Sequence, residues 1–291
     1  FGVRSSFGLF LDPMTITKGW NRETFAFALA LQNLLWGIGV PVASAISDKF
    51  GPSRVIAIGA IMYVLGTLGM AEANSSFMLH MTAGLLTGLG VAFTSFSIAL
   101  AAIANAVGPD RRSIALGLGT AAGSMGQVIF SPITQSLISS FGWNSTLWIL
   151  AFSTLIIIPL ALCLPAYKAT PKDKEFFEQT LSAALKEALA HRGFLLLSLG
   201  FFVCGFHVAF ISVHFPAYVN DLGLDPIVGA YAISIIGLFN IIGSFLAGLA
   251  GQRWSKKYSL SFIYFTRAIV IAILLLSPKT ALTIYLFSAA M

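Results

Sequence analysis

The chain has 291 residues, of which 57% are hydrophobic and 10% are charged, and its formal net charge is +6. A soluble domain carries about 25% charged residues, because its surface faces water. This composition therefore excludes a soluble protein of this size, and we expect an integral membrane protein.

Apolar segments long enough to cross a bilayer, about 20 residues each, follow one another along the chain. We number them span 1 to span 10. The complete spans 2 to 9 are predicted at 25–46, 55–71, 77–106, 113–141, 147–166, 194–219, 227–251 and 260–276. Span 1 ends near Pro13 and span 10 begins near Ala281. Each offers only about a dozen residues, so we expect the sequence to begin and end within helices.

The basic residues predict the topology, because cytoplasmic breaks are enriched in Lys and Arg. If span 1 runs outward, three basic residues lie outside: Lys18, Arg22 and Lys279. Twelve lie inside: Lys49, Arg54, Arg111, Arg112, Lys168, Lys172, Lys174, Lys186, Arg192, Arg253, Lys256 and Lys257. The basic balance is thus a topology signal, and we expect no nucleic-acid partner.

One long polar connection divides the chain. Residues 167–192 carry apolar positions at helical spacing among charges, which is typical of an amphipathic helix on the inner membrane surface. We predict an N-terminal helix bundle at 1–166, this cytoplasmic linker at 167–192 and a C-terminal bundle at 193–291. The stretch "SAISDKFGPSR" (44–54) recurs weakly as "GLAGQRWSKKY" (248–258), and such parallel repeats are found in secondary transporters.

The stretch "SDKFGPSR" resembles the signature loop of the major facilitator superfamily, with Asp48, Lys49, Gly51 and Arg54 in place and Ser44 for the first glycine. The stretches "GVRSSFGLFLDP", "FGWNSTLWIL" and "CGFHVAFISVHFPAYVNDLGL" resemble its bacterial monocarboxylate-porter and oxalate/formate-antiporter branch. The resemblance implies an all-α fold of two six-helix bundles with parallel pseudo-symmetry, of which the sequence would cover helix one to the start of helix ten.

Arg4 is the most unusual residue of the sequence, because it is a charged residue inside an apolar helix. Counted back from Pro13 at the predicted outer end, it lies about 12–14 Å along that helix, at ~1.5 Å per residue. The resemblance implies that spans 1, 4, 7 and 10 line a central cavity. No Asp or Glu occurs within a complete predicted span, so Arg4 is our first candidate for binding an anion. Two alternatives are open: an acid elsewhere neutralises Arg4, or its side chain snorkels to an interface.

Other polar residues within spans are weaker candidates. His207 and His214 stand two helical turns apart, on one face of span 7. Imidazole titrates near neutral pH, so both are candidates for proton coupling, and His207 also for substrate binding. The alternative is a hydrogen bond to a neighbouring helix.

Three buried amides, Asn33, Gln127 and Asn240, are candidates for substrate contact, although most such amides join helices. Arg267 in span 9 is expected to play a structural role; if it faces the cavity, a second positive charge would favour dicarboxylates.

Two further groups are predicted to serve the transport cycle. The inner gate is assigned to Asp48, Lys49, Gly51, Arg54, Arg111 and Arg112, with a purely topogenic charge cluster as the alternative. Gly119, Gly123 and Gly243 are assigned to close packing of spans 5 and 8, which the resemblance places at the interface between the halves.

The sequence as a whole predicts a secondary transporter of a small organic anion, working by alternating access in a plasma membrane, most simply a bacterial inner membrane. Protons are a candidate co-substrate, a monomer is expected, and neither a metal nor a cofactor is predicted, since Cys163 and Cys204 lie in apolar runs without ligand spacing. The alternatives are a transporter of neutral or cationic compounds and a non-transporting sensor on the same scaffold. No predicted span contains a cluster of nucleophile, base and metal ligands, so we do not expect an enzyme.

Overall fold

The computed structural model describes residues 2–107, 112–164, 181–253 and 255–291, and all regular structure in these ranges is helical. Seven helices among them are long and apolar enough to cross a membrane. Residues 165–180, which include most of the predicted linker, lie outside the described ranges. Of the rest of the linker, Leu181–Ala190 is a helix, and Arg192 is the first residue of span 7.

The first half contains spans 1 to 6. Its helices are Gly2–Ser5, a 3₁₀ turn Phe7–Phe10, Leu11–Lys18, Arg22–Phe50, Pro52–Ala71, Ser76–Leu79, a π-helical segment His80–Leu86, Thr87–Phe93, Phe96–Val107, Arg112–Thr154 and Ile157–Leu162. Spans 7 to 10 are the helices Arg192–Asp221, Pro226–Arg253, Lys256–Leu276 and Ala281–Ala290.

Glycines with positive φ separate the spans where the sequence turns. Gly51 (φ 91°) precedes Pro52, the first residue of span 3, where a missing N–H costs no helical hydrogen bond. Gly142 (φ 79°) interrupts Arg112–Thr154 and separates span 5 from span 6. These positions stop one helix and start the next within one or two residues.

Span 1 differs from its prediction in two ways. It continues past Pro13 to Lys18, because Pro13 occupies the first turn of Leu11–Lys18, where proline is tolerated. It also changes to a 3₁₀ turn at Phe7–Phe10, directly after Arg4. Span 4, predicted as one helix, is likewise broken at Thr94 and Ser95.

The 3₁₀ turn lies against span 7, so the two halves touch at the level of Arg4. A Cβ added to Gly8 would collide with the carbonyl oxygen of Ser212 and lie 2.9 Å from that of Val213. The backbones of spans 1 and 7 therefore pack so closely here that no side chain larger than that of glycine fits at position 8. Spans 5 and 8 form the second contact between the halves.

We predict that Gly8→Ala lowers the melting temperature of the purified protein, because overpacking a close contact costs about 1–3 kcal/mol. Gly205→Ala is the matched control, since no atom lies within 4 Å of its added Cβ. It should leave the melting temperature unchanged or raise it, as alanine favours a helix over glycine. If Gly8→Ala and the unmodified protein had equal melting temperatures in a thermal-shift assay, the contact at Gly8 would be loose.

Candidate functional site

Arg4 is held by span 2. One of its terminal nitrogens, Nη2, donates a hydrogen bond to Oδ1 of Asn33, and its Cζ lies 4.2 Å from the centroid of the Trp36 ring. Asn33 is itself fixed, because its Nδ2 donates to the carbonyl oxygen of Leu29 at 2.7 Å. Within the described ranges, Arg4 forms no ion pair with a carboxylate. Two neutral side chains therefore hold the guanidinium of Arg4 in place.

A cavity of about 30 Å³ adjoins Arg4. Its walls come from spans 1, 2 and 7: Arg4, Ser5, Phe7, Gly8, Leu29, Gln32, Asn33, Val208, Ala209, Ser212 and Val213. The volume suits one or two water molecules and is far below that of sites for organic ligands, roughly 300 Å³ or more. The structure therefore shows Arg4 in a closed arrangement between the two halves.

The histidines of span 7 do not share this cavity. His207, Phe210 and His214 line a separate cavity of about 450 Å³, as their spacing on one helical face predicts. Val208 and Ser212 line the Arg4 cavity instead. The structure thus places Arg4 and His207 in two different cavities. Nδ1 of His207 is buried and has no hydrogen-bond partner among the described residues.

Gln127 and Asn240 join spans 5 and 8. Nε2 of Gln127 donates to the carbonyl oxygen of Ile233 at 3.2 Å, and Nδ2 of Asn240 donates to Oγ of Ser124 at 3.1 Å. A third bond runs from Oγ of Ser234 to the carbonyl oxygen of Val128 at 2.7 Å, and the sequence analysis did not single out that serine. Both amides therefore act as contacts between the halves in this arrangement.

Arg267 lines a cavity of about 540 Å³ together with Gln127 and Asn240. Its Nη1 lies 3.8 Å from Sγ of Cys204, and its Nη2 lies 3.5 Å from the carbonyl oxygen of Met291. Span 9 thus presents a cation to a cavity rather than to lipid alone.

The predicted inner gate is only partly described. Asp48, Lys49 and Arg54 are exposed, and Gly51 forms the turn between spans 2 and 3. Asp48 lies beside a cavity of about 330 Å³ and forms no ion pair in the part of the chain that the structure describes. Arg111 and the side chain of Arg112 lie outside the described part.

The predicted interface glycines face other partners. Added Cβ atoms on Gly119 and Gly123 would meet Leu100 and Phe96 of span 4, and one on Gly243 would meet no atom within 4 Å. Gly237 carries the close approach of spans 5 and 8 instead, with its added Cβ 3.1 Å from Cβ of Gln127. Both helices are rich in glycine, so spacing alone does not reveal which glycine faces which neighbour.

A cluster of polar and charged residues escaped the sequence analysis; it lies at the ends of spans 1, 2 and 7 that are predicted to be outside. Arg22 donates to both carboxylate oxygens of Asp221, at 2.6 and 2.7 Å, and its Nη2 lies 2.9 Å from Oδ1 of Asp12. Nδ2 of Asn220 donates to Oδ2 of Asp12 at 2.9 Å. We call these four residues the outer clasp.

The outer clasp connects the first half to the second. Asp12 and Arg22 belong to spans 1 and 2, whereas Asn220 and Asp221 end span 7. Arg22 and Asp221 are 49% and 52% exposed, so their bidentate pair alone contributes little. Asp12 is only 13% exposed and adds a second acidic partner to Nη2 of Arg22. The clasp thus joins the ends of spans 1, 2 and 7 that the basic residues predict to lie outside.

Comparison with known families places the fold. The profile of the family described as Major Facilitator Superfamily matches residues 1–291, so the chain belongs to this superfamily of membrane transporters. The seven apolar helices make it a multi-pass membrane protein.

Two relatives illustrate the range of the similarity. Monocarboxylate transporter 13 of Rattus norvegicus is 29% identical over 258 residues, which cover 87% of this chain and 58% of the rat protein. The uncharacterized MFS-type transporter YcxA of Bacillus subtilis is 25% identical over 280 residues, covering 94% of this chain and 67% of that protein. The chain thus spans little more than half the length of the rat relative.

Solved structures agree on the fold. The D-xylose-proton symporter superposes with a TM-score of 0.66 at 15% identity, over 99% of this chain and 77% of that chain. The nucleoside transporter NupG gives a TM-score of 0.64 at 13% identity, over 99% and 77% of the two chains. The predicted superfamily and all-α fold are confirmed.

We predict that Asp221→Asn opens the outer side more often. Loss of one ionic partner costs about 0.5–1 kcal/mol at such exposure, which corresponds to a roughly two- to fivefold shift in the opening equilibrium. The measurement is the labelling rate of Ser212→Cys, in a background with Cys163 and Cys204 replaced by Ser, by an impermeant maleimide added outside. Asp221→Glu keeps the charge and Lys18→Gln removes a basic residue outside the clasp, so neither should accelerate labelling. An unchanged rate in Asp221→Asn would contradict the clasp.

Proposed function

We propose that the protein is a secondary transporter of a small organic anion, in which Arg4 binds the carboxylate of the substrate and alternating access carries it across. The observation that supports this proposal most strongly is Arg4, whose guanidinium lies within an apolar helix. Asn33 and Trp36 orient it, and it has no ion pair among the described residues. A carboxylate at 4 Å would gain about 4 kcal/mol at an effective dielectric constant of 20, before desolvation is subtracted.

Three further observations support this proposal. Arg4 lies where spans 1, 2 and 7 meet, between the two halves, as a midplane substrate site requires. The outer clasp connects the halves on one side of it. The rat relative is named a monocarboxylate transporter, and a guanidinium can bind a carboxylate through two parallel hydrogen bonds.

Alternating access would use both ends of the molecule. In our proposal the outer clasp breaks when the substrate enters from outside, while the signature loop at Asp48, Lys49, Gly51 and Arg54 closes the inner side with Arg111 and Arg112. Spans 1–6 and the spans after the linker move as two bundles, and the linker at 167–192 lies in the cytoplasm. Asn33 contributes to the site through Arg4, whereas Gln127 and Asn240 contact the substrate only after spans 5 and 8 separate.

Proton coupling is assigned to His207, with His214 as the second candidate. Nδ1 of His207 has no hydrogen-bond partner among the described residues, and this atom and the separate cavity support a proton site apart from the anion site. We also propose that the protein works as a monomer in a plasma membrane; its relatives come from both mammals and bacteria, so the bacterial inner membrane stays a prediction.

We predict that Arg4→Gln abolishes uptake of labelled C2–C6 monocarboxylates into proteoliposomes that contain the full-length protein. The expected loss is at least tenfold in kcat/KM, because the main charge opposite the carboxylate is removed. Arg4→Lys should retain part of the activity, and the control Arg192→Gln, an exposed arginine at the inner end of span 7, should retain all of it. Unchanged uptake in Arg4→Gln would contradict the anion proposal, as would transport of neutral or cationic compounds alone.

We predict that His207→Gln removes the stimulation of uptake by an imposed inward proton gradient and leaves exchange of internal for external anion intact. Removal of the titratable group leaves binding to Arg4 unchanged, because the two residues lie in different cavities. His80→Gln is the control, since His80 lies in span 4 and contacts the carbonyl oxygen of Thr24 at 3.2 Å. Full gradient stimulation in His207→Gln would exclude His207 as the coupling residue.

A further inference from the structure

Arg4 is surrounded by hydrogen-bond donors that find no acceptor. Its own Nε, Nε1 of Trp36 and the hydroxyl of Tyr63 are all buried and without a hydrogen-bond partner among the described residues. An arginine side chain and an indole can donate hydrogen bonds but cannot accept them. Within the described ranges, the one acceptor bonded to the Arg4 side chain is Oδ1 of Asn33.

The two neighbouring donors approach Arg4 from different helices. The Trp36 ring of span 2 lies under the guanidinium, 4.2 Å from Cζ to the ring centroid. Tyr63 of span 3 is 3% exposed and packs in the same apolar cluster as Val3 and Phe7, which flank Arg4 in span 1.

Unpaired buried donors are costly, and proteins rarely leave several of them together. The cost is removed if a ligand supplies acceptors. A carboxylate has two oxygens with about four lone-pair positions, which match two N–H groups of Arg4, the indole N–H and the phenol O–H. An amide or ester offers fewer and weaker acceptors.

We propose that Trp36 and Tyr63 are specificity-determining residues of the Arg4 site, donating hydrogen bonds to the carboxylate of the transported anion through the indole N–H and the hydroxyl. This inference rests on the function proposed above. It adds the residues that would make the site prefer an acid to its uncharged analogues. Trp36 and Tyr63 do not line the cavity of about 30 Å³ beside Arg4, so in our proposal the carboxylate reaches the two donors only after this closed arrangement opens.

The test uses Trp36→Phe and Tyr63→Phe, which remove one donor each and keep an aromatic ring. In proteoliposomes with the full-length protein, uptake of the best-transported monocarboxylate of the C2–C6 panel is measured, together with inhibition by that acid and by its amide. Each variant should raise KM roughly tenfold with little change in kcat, as expected for a hydrogen bond to a charged group. The preference for the acid over the amide should fall by a similar factor.

The matched controls are Trp20→Phe, at the outer end between spans 1 and 2, and Tyr258→Phe, which is 72% exposed. Both should keep the KM and the preference of the unmodified protein. An unchanged KM and preference in Trp36→Phe and Tyr63→Phe, with uptake lost in Arg4→Gln, would overturn this inference alone. Full uptake in Arg4→Gln would instead overturn the proposed function. Either phenylalanine variant decides the question if the other fails to fold.

Discussion

The positive charge of Arg4 within the first apolar helix is the constraint on which the account depends. Placing an arginine at mid-bilayer costs about 2.5–3.5 kcal/mol on insertion scales. A desolvated contact with the Trp36 ring contributes about 2 kcal/mol, and a charge-assisted hydrogen bond to Asn33 about 1.5–3 kcal/mol. These neutral partners offset the cost without cancelling the charge, so the empty protein can keep Arg4 in place and still attract an anion.

The contacts around Arg4 explain why the two halves matter to this charge. Gly8 brings the backbone of span 1 against that of span 7, and the outer clasp joins Arg22 to Asp221 and Asp12 to Asn220. Backbone packing closes the site at the level of Arg4, whereas exposed ion pairs, which contribute little free energy, join the halves at the end predicted to lie outside. A weak clasp suits the alternating access proposed above, because a step that opens and closes repeatedly must involve free-energy differences of only a few kcal/mol.

The sequence predicts the fold class and most spans, because hydropathy and basic loops depend on local composition. It does not predict the 3₁₀ turn at Phe7–Phe10, which lies in a close tertiary contact, or the passage of Leu11–Lys18 through Pro13. Arg4 is conspicuous as a charge in an apolar run. The outer clasp is not, since Arg22 and Asp221 are 199 residues apart and each resembles an ordinary helix end. The partners of Gly119 and Gly123 likewise depend on how span 5 is rotated.

The central claim is that Arg4 stays without an acidic partner until the substrate arrives. An experimental structure of the substrate-free, full-length protein, at a resolution that shows side chains, tests it most directly. The account predicts that no Asp or Glu oxygen lies within 4 Å of the guanidinium nitrogens, and that Asn33 and Trp36 hold them as described. An aspartate or glutamate bonded to Arg4 in the empty protein would contradict it.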